Sequence, residues 1–228
     1  MAAHGQLTVA AILVAAGDGQ RLGAGLPKAF VKVAGRTLLE HATAVFAGHR
    51  GVRDIVVCAP AALLETAAGL VPGAVVVSGG SSRQDSVACG LAVLAEDIDA
   101  VLVHDVARAF VPAEVISRVI DALAAGATAV VPTVPVADTI RRRDPGTGAL
   151  GPTLHRAGLV AVQTPQGFRR GALVAAHAAA TARGLEATDD AALVEAHGES
   201  VTAVPGAEEA FKITQPLDLL LAETLAAR

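Results

Sequence analysis

The sequence has few of the residues that stack on bases or form disulfides. Of its 228 residues none is Trp or Tyr, five are Phe and two are Cys. Stacking on aromatic rings is therefore not expected to hold any bound base. Cys58 and Cys89 lie far apart in the sequence, with no Cys-x-x-Cys motif and no His at zinc-ligand spacing. We predict two buried, reduced thiols rather than a disulfide framework or a zinc site.

Long apolar runs and an excess of positive charge are also missing. No stretch approaches the roughly 18 uninterrupted apolar residues that a membrane span needs. The apolar segment 9–14 is too short for the core of a signal peptide and follows no basic region. The net charge of −4 argues against a general nucleic-acid binder, which would carry a basic face. We therefore expect a cytoplasmic protein with neither a membrane nor a nucleic acid as partner.

What the sequence does contain is an alternation of short β-branched runs with Ala/Leu-rich helical patterns. The predicted strands are residues 8–14, 54–59, 74–78, 100–104, 129–133 and 201–204. The predicted helices are residues 38–47, 61–70, 82–94, 112–124, 169–181, 189–196 and 216–227. Continuous apolar strands are typical of a sheet that is covered on both faces. The pattern predicts one α/β domain over residues 1–228, with a three-layer, Rossmann-like, open and mostly parallel sheet.

The ends of two predicted helices carry residues that suit helix capping. Ser81 and Gln84 have the spacing of a capping box at the start of the third helix. Thr214 precedes the last helix and is predicted to cap it.

The segment 134–168 interrupts the alternation. It has polar, strand-like pieces on both sides of a turn at 144–148 and shows no helical period. We predict a β-hairpin that projects from the sheet over about residues 136–160, as a lid or as an arm to a partner. A disordered basic loop is the alternative. Residues 141–143, all Arg, are expected to be solvated charges on this arm.

Glycines follow the first predicted strand in the stretch VAAGDGQRLGAGLPK, residues 14–28. The phosphate loop of nucleotide hydrolases is excluded, because no Gly-Lys-Ser/Thr sequence is present. The dinucleotide-binding pattern is disfavoured, because Gly17, Gly19 and Gly23 have a spacing that is one residue too long. In addition, the second strand does not end in an acidic residue.

A third interpretation of this stretch fits better. Small residues at 15–17 let the backbone approach a base and its phosphates. Arg21 and Lys28 then place two cations, seven residues apart, on the glycine-rich loop. Such cations can surround a triphosphate and stabilise the charge that develops on an α-phosphorus. The stretch therefore favours nucleotide transfer over nucleotide hydrolysis or cofactor binding.

The pattern strand–Ala-Ala-Gly-x-Gly-x-Arg–x(6)–Lys is similar to that of nucleotidyltransferases that activate sugars and polyols. Over nearly its full length the chain resembles the 2-C-methyl-D-erythritol 4-phosphate cytidylyltransferase family, which serves the non-mevalonate isoprenoid pathway. The motifs that carry this resemblance occur in order: LVAAGDGQRLGAGLPK, SGGSSRQDSV, VLVHDVARAF, VPVADT, LHRAGLVAVQTPQGF, ATDDAAL and FKITQP. The resemblance implies transfer of CMP from CTP to the polyol phosphate, with release of pyrophosphate.

The resemblance also implies which residues bind CTP. Backbone groups at Gly80 and the hydroxyl of Ser86 read the cytosine in this family, and Arg83 supports their loop. Ser81 departs from the family pattern, which often has an acidic residue there. The implied CTP-binding residues are Ala15, Ala16, Gly17, Gly19, Gly80, Arg83 and Ser86.

For the acceptor, the resemblance implies that Asp105 binds the polyol hydroxyls near the metal and that Arg108 helps to form the pocket. The alternative to this binding role is an ion pair between the two residues that only stabilises the fold. Thr139 and Arg156 of the arm reach across a homodimer in this family to hold the 4-phosphate of the partner's substrate. The implied acceptor-binding residues are Asp105, Arg108, Thr139, Arg156, Thr164 and Thr188, although Thr188 also suits a helix cap.

The implied catalytic residues are Arg21, Lys28 and Lys212, the last of which contacts the transferring phosphate region in this family. Mg²⁺ is expected to arrive mainly on the CTP phosphates, since no carboxylate cluster in the sequence would cage it alone. The closest alternative activity is a ribitol 5-phosphate cytidylyltransferase. From other classes, an NAD-binding oxidoreductase and an inactive nucleotide-binding module are disfavoured.

Overall fold

A computed structural model of the protein describes residues 7–16 and 26–227. In chain order its strands are β1 (Val9–Val14), β2 (Lys32–Val33), β3 (Arg36–Thr37), β4 (Asp54–Ala59), β5 (Val75–Ser78), β6 (Ala100–Asp105), β7 (Ala129–Pro135), β8 (Arg141–Arg143), β9 (Leu150–Thr153), β10 (Val160–Val162), β11 (Gln166–Arg169) and β12 (Val201–Pro205). Its helices are α1 (Leu38–Ala47), α2 (Leu64–Leu70), α3 (Arg83–Ala92), α4 (Ala113–Ala124), α5 (Arg170–Arg183), α6 (Asp190–Ala196) and α7 (Pro216–Ala226).

The central sheet is mostly parallel, as the sequence predicts. Strands β5, β4, β1 and β6 lie side by side and pair in parallel. Beyond β6 the antiparallel strand β11 separates β6 from β7. Strand β10 pairs antiparallel with the far end of β7, and β12 pairs with β7 in parallel. Because β5, β4, β1 and β6 run in the same direction, their carboxyl ends meet at one edge of the sheet.

Two apolar clusters on opposite faces of the sheet make three layers. Strand β1 shows the division, since Ala11 and Leu13 belong to one cluster and Ala10 and Ile12 to the other. The first cluster includes side chains of α1, α2, α4 and α7, and the second includes side chains of α3, α5 and α6. This alternation follows from the period of two in a strand that is buried on both faces. The predicted three-layer α/β architecture is therefore confirmed.

Strand β11 is an element that the sequence does not reveal. It begins at the end of the segment 134–168, after the predicted hairpin and where no strand of the sheet was expected, and its residues Gln166 and Phe168 are buried in the central sheet. Gly167 between them faces α4 so closely that an added Cβ atom would overlap a methyl group of Val119. A four-residue strand with a polar first residue has too short a pattern to be recognised before its neighbours are known.

The predicted hairpin forms over β8 and β9, which pair antiparallel. Asp144 closes its turn, because Oδ1 of Asp144 accepts hydrogen bonds from the N–H groups of Gly146 and Thr147. The alternative of a disordered loop is therefore wrong. The arginines of β8 are exposed, as expected. The role of the hairpin as an arm to a partner stays a prediction.

Both predicted helix caps are wrong by one residue. Ser82, not Ser81, caps α3, because Ser82 has the extended backbone conformation that a cap needs. Asp85 completes the capping box with Ser82. Gln84 instead bonds to the segment before α6. The residue before α7 is Gln215, and Thr214 donates to the carboxylate of Asp218.

Within residues 7–16 and 26–227, none of the helices has both the length and the apolar character needed to cross a membrane.

Candidate active site

The candidate site lies at the edge of the sheet where β1, β5 and β6 end. Ligands of open α/β sheets bind beyond the carboxyl ends of the strands. Ala15 and Ala16 follow β1, and the loop of Gly79 and Gly80 follows β5. These two segments are in contact, since a Cβ atom added to Gly79 would lie 2.6 Å from the Cβ of Ala16. Small residues thus let these two segments pack closely at this edge, and the approach of a base or phosphate to their backbone stays a prediction.

The loop after β5 is held together by the hydroxyl of Ser86. That oxygen accepts a hydrogen bond from the N–H of Gly80 at 3.1 Å and donates to the carbonyl of Ser82 at 2.8 Å. A side chain at position 80 would overlap Asp85. The structure therefore brings Gly80 and Ser86 together, and their contacts with a cytosine base stay a prediction.

The thiol of Cys58 supports this loop from inside the core. Its sulfur donates to the carbonyl of Ser86 at 3.0 Å. Burial raises the pKa of Cys58 to about 12, so the group remains a thiol near neutral pH. Cys58 is buried as predicted, whereas Cys89 is only half-buried and corrects the expectation of two buried thiols.

Asp105, at the end of β6, is the centre of a cluster of charges. Its Oδ1 accepts a hydrogen bond from Nε of Arg83 at 3.0 Å, and its Oδ2 accepts one from Nζ of Lys212 at 2.7 Å. The side chain of Asp105 is 13% exposed and that of Lys212 is 42% exposed. Burial alone would raise the pKa of the Asp105 carboxyl, but the charges of Arg83 and Lys212 hold it well below its usual range. Asp105 is therefore an anion that two cations fix in place.

Arg83 extends this cluster into the core. Its Nη1 donates to Oδ2 of Asp190 at 2.6 Å, and the side chain of Asp190 has no exposed surface. The other oxygen of Asp190 lies 2.8 Å from Nε2 of His177. A planar guanidinium suits this position because it binds two carboxylates at fixed angles. Arg83 thus joins α3 to β6 and α6, and its role in supporting the loop that reads cytosine stays a prediction.

Asp190 and His177 are members of the site region that sequence reasoning missed. The motif ATDDAAL contains two adjacent carboxylates, and this pair is the sequence feature that could have identified Asp190. The resemblance implies a role for Thr188 of that motif, but Thr188 is exposed. Asp189 caps α6, because its side chain accepts from the N–H of Ala192 at 3.0 Å. The suggestion that Thr188 is the cap is therefore wrong.

Arg108 does not form the ion pair that was the structural alternative for this motif. Its Nη1 donates to the carbonyl of Ala210 at 2.8 Å, and its Nη2 donates to the carbonyl of Val162 at 3.2 Å. Burial lowers the pKa of its guanidinium. Arg108 thus ties the end of β10 and the segment before Lys212 to the end of β6, which places it at the predicted site.

Thr164 and His104 lie behind Asp105. Oγ1 of Thr164 accepts a hydrogen bond from the N–H of Asp105 at 3.1 Å and lies 2.9 Å from Nδ1 of His104. His104 is fully buried, and its ring packs against Phe46 with a centroid distance of 4.8 Å. Burial lowers the pKa of His104 to about 3. Its imidazole is therefore neutral near pH 7.

The structure brings Thr139 and Arg156 together on the arm. They line one open pocket of about 540 Å³, to which Thr153, His155 and others also contribute. The guanidinium of Arg156 donates to the carbonyl of Ala137. A cationic fork beside two threonine hydroxyls is suited to a phosphate group. The contact of this pocket with a partner's substrate stays a prediction.

Of the cations predicted on the glycine-rich loop, Lys28 lies in the described part of the chain. It begins a short 3₁₀ turn whose next two residues are buried. Burial alone would raise the pKa of Asp218, but the N–H groups of Thr214 and Gln215 lower it, with a further contribution from the charge of Lys28. Lys28 thus lies near the segment that follows Lys212. Gly17, Gly19 and Arg21 lie outside the described residues.

A three-layer α/β sheet with a cluster of charged side chains at its strand ends has the architecture of an α/β enzyme that binds its ligand there, and the comparisons identify the class as nucleotidyltransferase. The model of the family described as IspD, 2-C-methyl-D-erythritol 4-phosphate cytidylyltransferase, matches residues 9–228. The chain therefore belongs to this family.

Relatives of known name and solved structure agree with this assignment. The 2-C-methyl-D-erythritol 4-phosphate cytidylyltransferase of Rhodococcus jostii is 50% identical over 224 residues, which is 98% of this chain and 97% of the relative. The crystal structure of the enzyme of that name from Thermus thermophilus has a TM-score of 0.80 and 43% identity, and the match covers 97% of this chain and all of the other. A 4-diphosphocytidyl-2C-methyl-D-erythritol synthase from Anaerococcus prevotii has a TM-score of 0.86 at 26% identity, with 98% and 97% covered.

Proposed function

We propose that this chain transfers CMP from CTP to 2-C-methyl-D-erythritol 4-phosphate and releases pyrophosphate, a step in isoprenoid precursor synthesis. One observation carries the proposal beyond family membership. Arg83, Asp105 and Lys212 come from three motifs that are distant in the sequence, and they form one hydrogen-bonded cluster at the strand ends. Charged groups placed in advance around the reacting phosphates are what catalysis of phosphoryl transfer requires.

The reaction needs no nucleophile from the protein, because the acceptor's phosphate oxygen attacks the α-phosphorus of CTP in line. The new P–O bond forms as the bond to the pyrophosphate oxygen breaks, and pyrophosphate leaves with the negative charge. Lys212 is the exposed cation of the cluster and would stabilise charge on the transferring phosphate. Lys28 and Arg21 would surround the triphosphate, as inferred from the sequence.

Asp105 would orient the polyol hydroxyls of the acceptor. Its carboxylate remains ionised because Arg83 and Lys212 lower its pKa, so it can accept hydrogen bonds from hydroxyl groups at any physiological pH. Arg83 keeps Asp105 in place when Lys212 turns towards a phosphate, because the two cations bind different carboxylate oxygens.

We also propose that the reaction uses Mg²⁺, for which Asp105 offers one carboxylate ligand. Within the described residues no three His, Cys, Asp or Glu side chains form a group that could hold a metal. Asp105 is a single hard oxygen donor, and Mg²⁺ commonly uses one or two carboxylates together with phosphate oxygens and water. When bound, Mg²⁺ would neutralise negative charge on the α-phosphate.

We also propose a homodimer in which the arm pocket of one protomer serves the site of its partner. The proposal is supported by the exposure of the hairpin and by the grouping of Thr139 and Arg156 in one open pocket. The cytoplasmic location stays a prediction.

The experiment that tests the proposed function measures pyrophosphate release with CTP and each candidate acceptor. We expect release with 2-C-methyl-D-erythritol 4-phosphate and little with ribitol 5-phosphate or with CTP alone. Lys212→Ala should lower kcat by about 100-fold, on the scale of losing one transition-state contact. Lys32→Ala is the matched control, since Lys32 is an exposed lysine of β2, and it should keep the wild-type rate. Faster turnover with ribitol 5-phosphate would assign the chain to the alternative activity.

A further inference from the structure

A buried glutamine between β10 and β11 holds the part of the chain that follows β12. Gln163 belongs to the motif LHRAGLVAVQTPQGF and is 4% exposed. Burying a side-chain amide is unfavourable unless both of its ends are hydrogen-bonded, so its partners indicate its role. Both ends are bonded to one residue: Nε2 donates to the carbonyl of Ala207 at 2.8 Å, and Oε1 accepts the N–H of Ala207 at 3.1 Å. The amide thus pairs with Ala207 as a residue of a neighbouring strand would.

Ala207 lies at the start of residues 206–213, which we call the lysine segment because it carries Lys212. At the other end of the segment, the N–H of Ile213 donates to the carbonyl of Ala107, beside the site, at 2.8 Å. Nζ of Lys212 therefore reaches the site carboxylate from a segment that is held at both of its ends. Releasing one end gives the backbone more conformations, so the position of Lys212 depends on the bonds to Ala207.

The residue before Ala207 is small enough to admit the glutamine amide. A Cβ atom added to Gly206 would lie 2.3 Å from Oε1 of Gln163 and 3.1 Å from the carbonyl oxygen of Thr133. Adjacent residues of β7 hold both partners, since the N–H of Gln163 donates to the carbonyl of Pro132 and the N–H of Gly206 donates to that of Thr133, each at 2.8 Å. The amide and the glycine are therefore fitted to each other on a rigid strand.

We propose that Gln163 is a positioning residue, which fixes the start of the lysine segment so that Lys212 is held at the transferring phosphate. Gln163 touches no substrate and acts through the segment. The kinetic part rests on the proposed function, whereas the effect on the mobility of the segment does not. A shift of about 1 Å in a catalytic group is enough to slow a reaction strongly, so a loosened segment should lower the rate.

Amide hydrogen exchange, measured without any substrate, tests the structural part. Gln163→Leu keeps the bulk of the side chain and removes both hydrogen bonds, so the amide of Ile213, at the other end of the segment, should exchange about tenfold faster. Gly206→Ala should give the same result by displacing the amide. Leu173→Ala is the matched control, because Leu173 is buried in the apolar cluster on the opposite face of the sheet from Ile213. It should lower Tm and leave this exchange rate unchanged. Unchanged exchange at Ile213 in Gln163→Leu and Gly206→Ala would overturn the proposal.

Kinetics supply the second readout. Gln163→Leu should lower kcat by about tenfold and change the KM of CTP little, whereas Leu173→Ala should keep the wild-type kcat. In a Lys212→Ala background, Gln163→Leu should lower kcat no further, because the cation that the segment positions is gone.

An equal loss of kcat in both backgrounds would show that Gln163 acts on something other than Lys212, and the proposal would be wrong. A wild-type protein without turnover would refute the proposed function instead, and the exchange rate of Ile213 would still decide the structural part. Should Gln163→Leu fail to fold, Gly206→Ala carries both measurements.

Discussion

Replacing Asp190 with Asn tests whether the charged cluster is anchored from inside the core. The substitution keeps the shape of the side chain and removes its charge. Arg83 and His177 both bind this carboxylate, at 2.6 and 2.8 Å, and no part of it reaches solvent. Removing one partner of a buried ion pair costs about 3–5 kcal/mol, because the remaining charge stays buried without compensation. Arg83 keeps Asp105 as a partner, so we expect the lower end, about 3 kcal/mol.

The assay is urea unfolding and thermal unfolding followed by circular dichroism. For a chain of this length a loss of about 3 kcal/mol lowers Tm by about 6–12 °C. Asp97→Asn is the matched control, because Asp97 accepts two hydrogen bonds from Arg53 at 2.6 and 2.9 Å but its side chain is 68% exposed. Solvent screens that pair, so its loss should change Tm little. Equal Tm shifts in the two variants would refute the reasoning from burial, and so would an Asp190→Asn protein as stable as the wild type.

Three further outcomes are expected. Because burial lowers the pKa of His104 from 6.5 to about 3, its contribution to stability is complete above pH 6.5 and is lost as the pH falls towards 3. Between pH 7 and pH 5 urea unfolding should therefore show a loss about 2 kcal/mol larger in the wild type than in His104→Leu, and equal losses would contradict the buried neutral imidazole. Gly167→Ala should destabilise the protein by about 1–3 kcal/mol because its methyl group would overlap α4, whereas at Gly171, where a Cβ meets nothing within 4 Å, the same change should be harmless. Arg156→Ala mixed with Lys28→Ala should regain activity at hybrid sites, and no recovery after confirmed subunit exchange would exclude a site shared between protomers.

The alternation of apolar strands and helices was sufficient to predict the layers of the fold. The prediction of β4 and α1 matches their observed bounds, because each is a run of one period with clear end signals. Strand β11 was not predictable in this way. Its first three residues are buried by β6, β7 and α4, which are contributed by other parts of the chain.

The candidate site was predictable where a family motif fixes a residue, and less so where partners come from distant segments. Asp105, Lys212 and Arg83 were each identified, but their mutual contacts were not. The sequence separates Asp105 from Lys212 by 107 positions, and only the packing of the segment before α7 against the end of β6 brings them within 2.7 Å. The partners of Asp190 are likewise distant in the sequence. In addition, a carboxylate at a helix start is usually a cap, and its neighbour Asp189 does act as one.

The proposed reaction moves a cytidylyl group from CTP to a polyol phosphate. Its most direct test is ³¹P NMR of the purified chain with CTP, Mg²⁺ and 2-C-methyl-D-erythritol 4-phosphate. We expect the signals of CTP and of the acceptor's phosphate monoester to disappear together, while pyrophosphate and a new diphosphate diester appear in equal amounts. Consumption of CTP to CMP with the monoester signal unchanged would contradict the claim, and so would an unchanged spectrum from the folded protein.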